Sequence, residues 1–115
     1  MREYETIVVV DGAATEARLK ELDDRVSKTV QRHGGEVFFS RPWGKRLFAY
    51  PVQKKKEGYY MHYDYCGDEA LVAEIERTLR LDEQILRFLT VQLSESVDIA
   101  ARKEQLNKQV EVAHV

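Results

Sequence analysis

Four consecutive aliphatic residues, Ile7-Val8-Val9-Val10, sit in a stretch over residues 4–10 that carries no helical period. A strand of that kind has apolar groups on both faces, so it belongs in the middle of a sheet with cover on each side. Asp11-Gly12 ends it. The period then changes: Leu19, Leu22, Val26 and Val30 recur at helical spacing, Thr15 is placed as N-cap with Glu16 in the first turn, and Gly34-Gly35 supplies the stop. Residues 36–40 and 47–52 have strand character, and Pro42-Trp43-Gly44 between them predicts one long bent strand or two short ones at a sheet edge. Residues 53–57 read as a charged turn, after which Gly58 opens the aromatic strand Tyr59-Tyr60-Met61-His62-Tyr63-Asp64-Tyr65-Cys66.

Gly67-Asp68 predicts a second helix start, with Leu71, Val72, Ile75 and Leu79 as its apolar stripe and an end near 81–82. A last strand follows over 85–93. The order strand, helix, strand, strand, helix, strand predicts an α+β, ferredoxin-like domain over residues 1–94: a four-stranded antiparallel sheet with two helices on one face. Residues 95–115 lose the period and are expected to form a C-terminal tail, disordered in isolation. A marginal helix there, using Val97, Ala101, Glu104 and Lys108, would hardly hold by itself in water.

That architecture has a consequence for partners. Two helices cover one face only, yet the first strand is apolar on both faces, and Tyr59, Tyr60, Met61 and Tyr63 place bulk on both sides of the third. A protein partner is therefore expected on the open face and the exposed edge strand.

Composition narrows the function classes. A chain of 115 residues with 33% charged and 43% hydrophobic positions suits one globular domain. The lone Cys66 precludes an internal disulfide and a cysteine-based metal site, which suits a reducing, cytoplasmic setting. Early in the chain the longest apolar run is residues 7–10, too short for a secretory signal or a membrane span. His33, His62 and His114 lack ligand-spaced companions, Cys66 lacks a spaced base, and the glycines form no phosphate-cradling loop. No active site, metal, cofactor, membrane or small-molecule substrate is expected.

Charge is where the sequence becomes specific. The formal net charge is −2, yet residues 41–56 hold Arg41, Lys45, Arg46, Lys54, Lys55 and Lys56 and no acid, with Trp43, Phe48 and Tyr50 interleaved. Cations neutralise phosphate and flat rings stack on bases, so the segment has both ingredients of an RNA site that is local rather than spread over the molecule. Lys45 and Arg46 follow a Trp-Gly break and point to RNA more strongly than to solvent, whereas Lys54, Lys55 and Lys56 suit an RNA contact and a solvated hairpin equally well. Tyr50 reads as a binder and Trp43 as a packing residue. Arg87, inside the apolar run Ile85-Leu86-Arg87-Phe88-Leu89, must reach a rim or meet an anion.

The opening Met1-Arg2-Glu3-Tyr4-Glu5, the segment Trp43-Gly44-Lys45-Arg46-Leu47-Phe48-Ala49-Tyr50-Pro51-Val52, the strand start Gly58-Tyr59-Tyr60 and the run Ile85-Leu86-Arg87 together resemble the family of bacterial small-subunit ribosomal protein six, in order and spacing over about residues 1–94. The resemblance implies a ferredoxin-like domain in the small ribosomal subunit, bound to the central domain of its rRNA beside small-subunit ribosomal protein eighteen, cytoplasmic and not enzymatic. It puts the family's RNA-facing positions on Arg2, Lys45, Arg46, Tyr50 and Arg87. Two departures show: Lys45 stands where arginine is common, losing the planar fork for bidentate phosphate contact, and Phe48 replaces a leucine. Arg102, Lys103 and Lys108 of the tail are further candidates for pinning it to RNA or to a neighbour. The alternative function is a free-standing RNA-binding module of the same element order, with Tyr59, Tyr63 and Tyr65 alternating on its third strand. Its basic-glycine-aromatic-glycine signature is missing.

Overall fold

The computed structural model describes the backbone of residues 1–113 and the side chains of residues 1–107. The element order is β1 (Arg2–Asp11), α1 (Glu16–Arg32), β2 (Glu36–Val52), β3 (Lys55–Gly67), α2 (Glu69–Arg80), β4 (Ile85–Ser94) and α3 (Ile99–Ala113). The sheet runs β2-β3-β1-β4 and every pairing is antiparallel, which places the doubly apolar β1 inside and β2 at an edge.

Local chemistry sets the helix ends. Thr15 accepts the Arg18 N–H at the start of α1, and Asp68 accepts the Leu71 N–H at the start of α2. Gly34, with φ 73°, turns the chain out of α1, and the Gly35 N–H returns to the Val30 carbonyl. The stripes of both helices then bury Leu22, Val26, Val30, Leu71, Ile75 and Leu79 against Tyr4, Val8, Val10, Met61, Tyr63 and Tyr65. Burial lifts the Tyr63 hydroxyl well above the ordinary phenol range and that of Tyr65 to about 12. Each has a partner: Tyr63 donates to Asp23 at 2.5 Å, and Tyr65 shares a hydrogen bond with Thr6.

The structure decides three elements that the sequence left open or read otherwise. Residues 36–52 form a single strand, because the irregularity at Trp43 is absorbed as a β-bulge: Pro42 opposes Met61 and Gly44 opposes Tyr60, with Trp43 the extra residue and Gly44 at φ 88°. The turn after it takes two residues rather than five. Gln53 and Lys54 both adopt positive φ, the geometry that closes a tight hairpin, so β3 begins at Lys55. The segment after Ser94 holds a helix, α3, in which the Asp98 carboxylate accepts the Ala101 N–H. The side chains of Lys108 and Glu111, and His114, lie outside the described residues.

Candidate nucleic-acid interface

Side chains alternate across a strand, so the pairing register assigns each one to a face. Val8, Met61 and Phe88 share a row on the helix side. The next row along, His62-Ile7-Leu89, belongs to the open face, as do Tyr60-Val9-Arg87, Asp64-Glu5-Val91 and, at the far end, Cys66-Glu3-Ser94. The register shifts of β2 between Val37 and Phe39 and at Trp43 turn Phe39 and Trp43 to this face. Trp43 stacks on Tyr60 and meets the His62 ring edge-on, Phe39 also meets His62, and Phe48 tilts onto Tyr60. The Arg41 guanidinium lies over Phe39 at 4.1 Å. That contact was legible in principle, since strand residues two apart share a face.

At the β1 C-terminal end of the sheet the basic groups gather on the rim, Lys45 on the helix side and Arg46 and Arg87 on the open face. Lys45 pairs with Glu57 at 3.1 Å, which raises its pKa, and its ammonium sits over Tyr59. Lys55 pairs with Asp11 at 3.3 Å. Arg46, Arg87, Lys54 and Lys56 form no ion pair among the described residues and are exposed, as is the Tyr50 ring. One contact draws two distant segments together: Gln53 of the hairpin turn donates its side-chain amide to the Leu86 carbonyl at 3.1 Å. The lysine turn is thereby held against the strand that carries Arg87. No signal in the sequence points to this contact, because it depends on the curl of the hairpin across β1.

Arg2 is not part of the group. It opposes Gly67 while Asp11 opposes Gly58, so nine steps of strand, about 30 Å, separate it from the hairpin end. There it forms an ion pair with Glu69 at the start of α2. The sequence could not show whether Arg2 lies near the other cations, and the register places it apart from them.

The family model described as Ribosomal protein S6 matches residues 3–92. The chain belongs to the ribosomal protein S6 family. It is 44% identical to the small ribosomal subunit protein bS6 of Desulfatibacillum aliphaticivorans over 108 residues, which is 94% of this chain and 58% of that longer protein. The bS6 protein of Geotalea daltonii is 40% identical, with 88% of this chain and 79% of the relative aligned. The crystal structure of 30S ribosomal protein S6 from Thermotoga maritima superimposes with a TM-score of 0.74 at 25% identity, covering 94% of this chain and 97% of the other. As a member of the S6 family the chain is a small-subunit ribosomal protein, ribosome-associated and cytoplasmic. Among the described residues no helix is long and apolar enough to cross a membrane.

The S6 match covers α1, α2, β2 and β3 and all but the outer ends of β1 and β4, whereas α3 falls outside it. The face assignment also bears on the alternative RNA-binding module. Tyr63 and Tyr65, whose alternation suggested base-stacking rings, are 1% and 0% exposed beneath the helices. The ring open to the other side is Tyr60, already covered in part by Trp43 and Phe48.

Proposed function

We propose that this S6-family chain is a structural component that binds small-subunit rRNA at its hairpin end, through Arg46, Tyr50 and Arg87 with Lys45 and the lysine turn, and seats small-subunit ribosomal protein eighteen on its open sheet face. The observation that carries the RNA reading is the Gln53–Leu86 contact, which gathers cations from β2, the turn and β4 on one rim beside exposed Tyr50. Cations without acidic partners are free for phosphate, and the ring supplies a stacking surface. Arg2, at the other end, would touch RNA only as a separate contact. The role is not enzymatic and calls for no cofactor.

Support for the protein partner comes from the open face, where Leu89, Val91 and Leu93 of β4 are exposed next to partly buried Ile7. A continuous apolar strip of this kind favours cover by another protein. The proposal also takes residues 1–94 as the folding unit, since among the described residues the hydrophobic core cluster draws on nothing beyond Phe88.

Arg46→Ala with Arg87→Ala is expected to weaken rRNA binding while leaving the fold intact. Every phosphate that is no longer neutralised flattens the logarithmic salt slope by roughly 0.7 to 0.9. Filter binding across a salt series reads this directly, and an unchanged slope refutes the electrostatic role. With a net charge of −2 and one basic rim, tight binding is further expected to need the partner protein. Equal affinity of the chain alone and of the mixture for the same rRNA fragment would remove the partner from the reading.

A further inference from the structure

The end of the open face opposite the basic rim carries two acids. Glu3 and Asp64 are 7% and 2% exposed at their side chains, on neighbouring strands whose registers bring them together. Two carboxylates in so dry a place need a cation or a proton. Burial first, and then the adjacent Glu3 carboxyl, push Asp64 up to about 7, and Arg102 opposes the rise. Arg102 comes from α3, which lies over this end of the sheet.

Its grip is loose. Arg102 reaches Glu3 at 3.3 Å and Asp64 at 3.2 Å, longer than the usual charge-assisted hydrogen bond, and it also donates to Gln105 of its own helix. The Asp64 Oδ1 atom is buried with no hydrogen-bond partner. Among the described residues, α3 is also held by an ion pair between exposed Lys103 and Glu36 and by the buried side chain of Leu106. A helix of this length is marginal in water by itself and depends on such anchors. In the next row stands Val91, part of the exposed β4 strip, so a protein seated on that strip abuts α3.

Resting on the reading that a protein partner seats on the open face, we propose that the Glu3–Asp64 pair is a guanidinium socket, that Arg102 fills it in the free chain, and that an arginine of the partner replaces Arg102 and lifts α3 from the sheet. Charge selects the occupant: two buried carboxylates accept a flat, multiply donating cation better than a compact ammonium. The unused Asp64 oxygen offers an incoming arginine one hydrogen bond more than Arg102 makes.

Two measurements on the full chain test the two halves. In Arg102→Ala, added ethylguanidinium is expected to recover most of the fall in melting temperature, while ethylammonium at the same concentration recovers little. Equal recovery, or none, overturns the socket. If the variant fails to fold, Glu3→Gln with Asp64→Asn serves instead: it is expected to lose amide-exchange protection of α3 alone, and retained protection overturns the socket. For displacement, small-subunit ribosomal protein eighteen is added to the wild-type chain and exchange is followed in α3. Protection is expected to fall on binding, and Arg102→Met to bind the partner about fivefold or more tightly, because the competing helix is already released. Binding with α3 still protected overturns displacement. Failure of the partner to bind at all overturns the partner reading and displacement with it, and leaves the socket to the ethylguanidinium result.

Discussion

Asp82→Ala is expected to lower the stability of the free chain by ~3–5 kcal/mol, the range for breaking a buried ion pair from one side. The Asp82 side chain is buried in the loop between α2 and β4, where it takes ion pairs from both Arg18 and Arg25 of α1. Arg25 approaches to 2.7 Å, and the Gln84 N–H also donates to the carboxylate at 3.0 Å. Removing it leaves the Arg25 guanidinium without its anion and Arg18 with only exposed Glu21 at 3.5 Å, and it loosens the start of β4, where the Ile85 N–H is bonded to the Asp82 carbonyl. The effect has a pH signature. Burial works against the charged form, but the hydrogen bonds from Arg25, Arg18 and Gln84 outweigh it and hold the Asp82 carboxyl below the usual carboxylate range. A carboxylate depressed in the folded state contributes its stability above the unfolded value near ~4 and loses it as pH falls through the folded value. Urea denaturation at pH 7 and pH 3 is the check: the gap between wild type and variant should be wide at the first and narrowed at the second. A constant gap would mean that packing, not charge, holds this loop.

Gly35→Ala is expected to cost about 3 kcal/mol, at the upper end of overpacking penalties. Gly34→Ala next to it should cost only ~1–2 kcal/mol. The two glycines act by different physics. Gly34 needs its positive φ but has open space around the place of a Cβ, so alanine there meets only backbone strain. A Cβ on Gly35 would come within 2.2 Å of the Cys66 carbonyl oxygen, a backbone atom inside the sheet that cannot step aside as a flexible side chain does. Thermal melts of the two variants decide the matter. Should Gly34→Ala prove the more damaging, helix termination rather than close approach of α1 to β3 dominates this corner.

This pair shows how far the sequence could be read. Gly34-Gly35 was legible as a helix stop, because capping is decided within a turn or so of chain. The approach of Cys66 to Gly35 was not, since it depends on β2 and β3 pairing 30 residues apart. The candidate site divides in the same way. Arg46 and Arg87 were legible as cations in apolar or aromatic surroundings, and the resemblance of the segments around them agrees with the S6 match. That the hairpin curls until Gln53 holds the Leu86 carbonyl, and that Arg2 ends about 30 Å from the hairpin, follow from register and strand length alone.

What the sequence by itself determined is the order and type of the elements, the caps, the central position of β1 and the chemistry of the basic segment. Each of these rests on periodicity or on neighbours a few residues apart, where the physics is local. Tertiary structure alone decided which rings face the open side, since the bulge at Trp43 shifts the register of β2 by one residue and changes the face that each later side chain presents. It likewise decided that Asp82 would meet Arg18 and Arg25, and that Arg102 would cross the sheet end to reach Glu3 and Asp64. A buried charge finds its counterion through packing, at whatever separation in sequence the fold imposes, and no local pattern in the chain records that choice.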